Sequence, residues 1–215
     1  MLIAPHSRFV LIGDSITDCG RTRPLGEGLF DPYGSGYVNF VKSMIGAAHP
    51  ELHIRVTNVG ESGNTVRELK ARWDRDVVKL KPDWLSVMIG INDVWRQFDL
   101  PDYPEQHVLP EEFESTLDSL LGRTRKSLKG LILATPYFVE PDRADPMRAR
   151  MDQYGAIVKK LAQKHEALLV DTQAAFDAVL PHMHPMELAW DRVHPNTTGH
   201  MIIARAFAKA IQLEW

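Results

Sequence analysis

The sequence predicts an α/β fold built on a parallel, doubly wound sheet, and three observations carry that prediction. Short β-branched, apolar runs alternate with longer amphipathic ones along the chain, which is the pattern of βαβ units. Runs such as Val87-Met88-Ile89 and Leu131-Ile132-Leu133 are apolar without interruption, as strands covered on both faces must be. The 215 residues contain no stretch that reads as a linker, so a single domain spanning 1–215 with one buried core is expected.

The elements follow in order. The first strand is Phe9–Ile12, and the segment Gly13-Asp14-Ser15-Ile16-Thr17 behind it places Ser15 at the start of a helix. Gly20 to Gly36, rich in Gly and Pro, is the longest unassigned stretch, and loops of that length are usually functional or mobile. Gly34-Ser35-Gly36 follows no strand and lacks the third glycine of a dinucleotide fingerprint, so it reads as the start of a helix over Tyr37–Ala48. A strand at Ile54–Thr57 leads through Gly60 to Asn64 into a helix over Thr65–Leu80, and a strand at Leu85–Ile89 leads into Gly90-Ile91-Asn92-Asp93, read as a loop. Helices are expected over Pro110–Ser127 and Met147–His165, with strands at Leu131–Ala134 and Leu168–Val170. Asn196 reads as the N-cap of a last helix, Thr197–Ile211. Ligands of doubly wound sheets bind beyond the carboxyl ends of the strands. The loops after the first three strands should therefore meet at one edge.

Composition excludes several function classes. Hydrophobic residues make up 44% and charged residues 25%, with a net charge of −3 and scattered basic residues, which leaves no electrostatic footprint for nucleic acid or an anionic membrane. A small neutral ligand is the expected partner. Cys19 is the only cysteine, so no internal disulfide can form, and it reads as a small buried hydrophobe rather than a nucleophile. The N-terminal segment lacks a basic region, and the run Phe9 to Ile12 is too short for a signal core or a membrane span; a cytoplasmic location is expected. His182-Met183-His184 has metal-ligand spacing but neither a cysteine nor a third ligand beside it. No metal and no cofactor is expected. Trp73, Trp84 and Trp215 read as core or interface residues.

A serine and a histidine at opposite ends of the chain carry the chemistry. A hydroxyl becomes a useful nucleophile when a base takes its proton, and the base works best when a carboxylate fixes its tautomer. Ser15, His194 and Asp191 supply the three groups. Their Ser…Asp…His order is that of the α/β-hydrolases, but the G-x-S-x-G elbow is missing. Asp191 and His194 lie three apart in a turn ended by Pro195, so one short segment can hold the carboxylate against Nδ1 and leave Nε2 facing Ser15. Acyl transfer also needs donors for the tetrahedral oxyanion. The Ser15 N–H, the Gly63 N–H and the Asn92 amide are the candidates. Asp14 and Asp93 read as turn-holding side chains, and Ile16, Trp95, Trp190 and Val193 as candidate lining of a substrate pocket. Because the base must be neutral, activity should fall as acid protonates it. Each short motif alone is an ordinary turn; their joint placement beside predicted strands and before the last helix makes the hydrolase reading.

Four ordered blocks, Gly13-Asp14-Ser15-Ile16-Thr17, Asn58 to Thr65, Gly90-Ile91-Asn92-Asp93 and Asp191-Arg192-Val193-His194-Pro195, resemble those of the SGNH (GDSL-type) hydrolases. The resemblance implies a flavodoxin-like three-layer αβα sandwich with a five-stranded parallel sheet and metal-free ester hydrolysis by a serine. The family's four named residues fall on Ser15, Gly63, Asn92 and His194, with Asp191 completing the triad. Segments 90–97, 151–155, 170–176 and 189–195 are most similar to the intracellular acetylxylan esterases of bacteria, which implies an acetylated xylo-oligosaccharide as substrate and a homo-oligomer, often an octamer. Rival readings are a lysophospholipase, thioesterase or aryl esterase of the same family. From a different class come a carbohydrate-binding scaffold and a flavin module seated at the switch point of the sheet, the latter opposed by the acidic Asp14 where a phosphate would lie.

Overall fold

A computed structural model describes residues 1–214; Trp215 lies outside the described residues. Five strands, β1 (Arg8–Gly13), β2 (Arg55–Asn58), β3 (Trp84–Met88), β4 (Gly130–Ala134) and β5 (Leu168–Val170), form one sheet in the order β2-β1-β3-β4-β5. Every pairing is parallel, and the order reverses at β1, the flavodoxin-type switch point. All residues of β3 and β4 are buried, which is why, Ser86 aside, their sequences carry no polar side chains. The edge strand β5 instead leaves Leu169 exposed.

Helices cover both faces of the sheet. On one face α2 (Tyr37–Ala48) packs against α8 (Thr197–Ala210), with Tyr37 stacked on Phe207 at 4.9 Å. The other holds α3 (Val66–Trp73), α5 (Pro110–Thr124) and α6 (Pro146–Lys164), with Phe113 against Tyr154 at 4.9 Å. Trp73 and Trp84 are core residues. Gly36 precedes α2, and Asn196 caps α8 by accepting from the Gly199 N–H, as the sequence indicates.

Three local readings change. The helix expected over Thr65–Leu80 is α3 followed by a π-helical turn, Asp74–Val78, a change of hydrogen-bond register that the apolar spacing does not reveal. Gly90-Ile91-Asn92-Asp93 is not a loop: α4 (Ile91–Asp99) begins immediately after Gly90. Asn and Asp are poor helix formers, yet here Ile91, Asn92, Asp93 and Val94 are all buried, and tertiary packing overrides propensity. A short helix, α7 (Thr172–Asp177), follows β5, its Asp171 cap accepting from the Ala174 N–H; six residues are too few for a visible period.

The Gly20–Gly36 stretch is fastened to the sheet. Buried Arg21 donates to the Gly60 and Pro24 carbonyls, and Glu27 accepts from Arg55 and Thr57. Among the described residues, no helix is long and apolar enough to cross a membrane.

Candidate active site

The carboxyl ends of β1, β2 and β3 bring together the segments that carry Ser15, Gly63 and Asn92. Ser15 opens a one-turn helix, α1 (Ser15–Asp18), capped by the Asp14 carboxylate, which accepts from the Ile16 N–H at 3.0 Å. The β2 loop lies hard against this turn: a Cβ on Gly60 would stand 2.3 Å from the Asp18 nitrogen, so only glycine lets the two segments approach.

Ser15 Oγ is 3.1 Å from His194 Nε2, and His194 Nδ1 is 2.7 Å from Asp191 Oδ2. The other Asp191 oxygen accepts from the backbone N–H groups of His194, at 2.7 Å, and Val193, at 2.9 Å. Burial alone would raise the Asp191 pKa, but the hydrogen bonds from the His194 ring and these two N–H groups outweigh it and hold the carboxyl below its ordinary range. A charged carboxylate assigns the proton to Nδ1, which leaves Nε2 as the acceptor for the Ser15 hydroxyl. Arg192, between Asp191 and Val193, takes a left-handed conformation, φ 64°. The Tyr137 hydroxyl donates to the Val193 carbonyl at 3.1 Å and Arg192 pairs with Glu140 at 2.6 Å. Sequence reasoning missed Tyr137 and Glu140 as supports of this turn, because both come from the segment after β4, some fifty residues earlier in the chain.

Gly63 has φ +81°, a conformation suited to glycine. Among the described residues, no acceptor pairs with the N–H of Ser15 or of Gly63. Asn92 Nδ2 donates one hydrogen to the Asn64 carbonyl at 3.0 Å, which leaves the other for a ligand.

The candidate pocket residues divide. Ile16 lines a cavity of about 400 Å³ at Ser15, together with Ser35, Asn196, Thr197 and His200. Trp95 sets its ring edgewise against His194, centroids 5.6 Å apart. Trp190 is 76% exposed and lies outside that cavity lining. Val193 is buried in the core, and its backbone takes part in the turn: its N–H donates to Asp191 and its carbonyl accepts from Tyr137. A larger cavity, about 720 Å³ between α7 and α8 and lined by residues such as Leu169, Ala178 and Ile202, contains no nucleophile with a base.

Cys19 is half-buried and hydrogen-bonded rather than simply packed. His200 Nδ1 accepts from the Tyr37 N–H at 3.2 Å, so its Nε2–H donates to Cys19 Sγ, also at 3.2 Å. Burial pushes the thiol up to about 12, which leaves it unreactive at neutral pH. Burial, with help from His194, pushes His200 down to about 4. The unfolded chain therefore takes up this proton first on acidification, so the stability that neutral His200 contributes is complete above about pH 6.5 and is lost as pH falls toward 4, by about 3 kcal/mol. His200→Asn, which keeps an acceptor for Tyr37, should lose less stability between pH 7 and 4 than the parent in urea unfolding; an equal acid loss would refute the linkage.

The signature of the GDSL-like Lipase/Acylhydrolase family matches residues 11–202. The chain is 57% identical over 215 residues to an acetylxylan esterase of Geobacillus stearothermophilus, covering 100% of this chain and 98% of that protein. The crystal structure of that esterase, Axe2, superposes with a TM-score of 0.99 over 100% of this chain and 98% of its own. Its catalytic mutant S15A, 56% identical with the same coverage, also gives 0.99. LAE5, an alpha/beta hydrolase enzyme from the metagenome of Lake Arreo in Spain, is 56% identical, with a TM-score of 0.96 over 99% of this chain and 98% of its own.

Proposed function

Because the chain belongs to the GDSL-like lipase/acylhydrolase family and is a serine esterase, we propose that it removes acetyl groups from xylo-oligosaccharides through an acetyl-enzyme on Ser15. The observation that carries this reading is the unbroken chain from Ser15 Oγ to His194 Nε2, at 3.1 Å, and from His194 Nδ1 to Asp191, at 2.7 Å.

Ser15 Oγ attacks the ester carbonyl carbon as its proton passes to His194 Nε2, and the carbonyl electron pair moves onto oxygen. The N–H groups of Ser15 and Gly63 and the free Asn92 hydrogen stabilise that oxyanion. When the intermediate collapses, the bond to the sugar oxygen breaks and His194 returns the proton to it. Water then attacks the acetyl-enzyme, giving a proton to His194; the second collapse releases acetate and restores the Ser15 hydroxyl. Asp191 stays ionised throughout and steadies the imidazolium.

One feature supports a polyhydroxylated alcohol as the leaving group. The cavity at Ser15 offers the Ser35 and Thr197 hydroxyls and the Asn196 amide, groups suited to sugar hydroxyls. Acetate release from acetylated xylobiose, run beside p-nitrophenyl acetate, butyrate and hexanoate, tests the reading. Rapid deacetylation of the sugar is expected, with kcat/KM falling by about tenfold or more from the acetyl to the hexanoyl ester. A preference for the hexanoyl ester would instead favour a lipid- or thioester-directed member of the family.

The reading extends to a cytoplasmic homo-oligomer, an octamer by the resemblance drawn from the sequence. The single cysteine needs no oxidising compartment, and Phe30, Leu29 and Trp190 present apolar surface that another copy can cover. A light-scattering mass of one chain would overturn the assembly.

A further inference from the structure

Asp93 lies directly behind Asn92 on α4 and is wholly buried. One of its oxygens accepts from the Val66 N–H at 2.9 Å, while the other, Oδ2, is buried with no partner. Val66 is the first residue of α3 and stands three residues after Gly63. Alongside, Asn92 Nδ2 donates to the Asn64 carbonyl at 3.0 Å. Two adjacent residues of α4 thus grip the segment that follows Gly63 at two points.

We propose that Asp93 is a positioning residue for ester hydrolysis: by holding the Val66 N–H it keeps the Gly63 loop and the Asn92 amide in register as one set of oxyanion donors. The inference rests on the reading of Gly63 and Asn92 as those donors. Other contacts on the same segment act elsewhere. The capping box between Thr65 and Glu68 closes α3 on itself, and Arg72 reaches the Asn64 side chain at 2.6 Å. Among the described residues, only the Asn92 and Asp93 side chains tie the backbone of 64–66 to α4.

The carboxyl does this work in its neutral form. An ionised carboxylate with one oxygen buried and unpartnered would carry an uncompensated charge. Burial pushes Asp93 up to about 8, and neighbouring Asp14 adds to the rise. Asparagine, neutral and nearly the same shape, therefore keeps the acceptor and the register, whereas leucine fills the space and removes the acceptor.

The test compares kcat and KM for acetate release from acetylated xylobiose in folded variants. Asp93→Leu is expected to lower kcat by about tenfold or more, since a misplacement of about an ångström at reacting groups costs that much, with KM changed by less than about threefold; Asp93→Asn should restore kcat to within about threefold of the parent. Val66→Pro removes the donor while leaving the backbone course intact, because the first helical position tolerates proline and Thr65 before it is already extended; since Val66 is also a buried core residue, only variant protein whose thermal unfolding matches that of Val66→Ala is compared. It should lower kcat as Asp93→Leu does, and the double variant should fall little further. Val66→Pro decides the matter if Asp93→Leu does not fold. Parental kcat in folded Val66→Pro, beside an inactive Ser15→Ala, would overturn this inference alone. Parental turnover in Ser15→Ala would instead overturn the acyl-enzyme reading beneath it.

Discussion

Ser15→Ala is expected to lower kcat for acetate release by about 10⁶, the scale on which loss of a serine nucleophile acts when its base and orienter remain. The effect should be confined to chemistry. Ser15 opens α1, where alanine is well accommodated, and the side-chain hydrogen bond it gives up is the one to His194. The cap from Asp14 to the Ile16 N–H and the backbone N–H of residue 15 survive the change. Thermal unfolding should therefore match the parent to within a degree or two. A serine-directed organophosphonate should add one adduct to the parent, on Ser15, and none to the variant. Turnover within about tenfold of the parent would sink the mechanism, as would an adduct on another residue.

Asp191→Asn is expected to lower kcat by about 10⁴ through a single proton in the wrong place. The substitution keeps an oxygen for the Val193 and His194 N–H groups, which are 2.9 and 2.7 Å from Asp191 Oδ1, so the turn should persist. Its amide nitrogen, however, would face His194 Nδ1 where the carboxylate accepts at 2.7 Å. An NH₂ donor there asks Nδ1 to accept, which moves the ring proton to Nε2 and turns it toward Ser15 as a donor. The base can then no longer receive the serine proton, and no negative charge steadies the imidazolium. Because its hydrogen bonds overcome burial and keep Asp191 below the usual carboxylate range, the parent holds that charge at neutral pH and the contrast should be full there. Steady-state kinetics at pH 7 would show it in kcat with KM little altered; a loss of less than about tenfold would mean that Asp191 only shapes the turn.

Both predictions depend on residues that the sequence singles out by type and order, and much of the surrounding architecture was equally legible. Strands and long helices declare themselves by local periodicity, so β1 to β5, α2, α5, α6 and α8 fall within a few residues of their expected places. Departures occur where local preference and tertiary packing disagree. Asn92 and Asp93 read as loop residues because their side chains compete with helix hydrogen bonds, yet both are buried in the first turn of α4, where Asn92 reaches across to the Asn64 carbonyl. Trp190 and Val193, neighbours of the triad in sequence, show the same limit. One is exposed and the other buried in the core, a difference that their places in the sequence do not reveal.

By itself the sequence determined the α/β class, the strands, the proposed nucleophile, base and carboxylate, and the family blocks that contain them. Each of these is a local property: a period, a residue type, a spacing within one segment. The tertiary structure alone decided that Ser15 and His194, 179 residues apart, stand 3.1 Å from each other. It alone decided which carboxyl is charged: Asp191 gathers donors at the surface of the turn, while Asp93 is sealed in with one oxygen unpartnered. The physical reason is common to both. Distance and burial are set by whatever distant segments pack against a residue, and the protonation of a carboxyl follows its burial and its donors rather than its place in the chain.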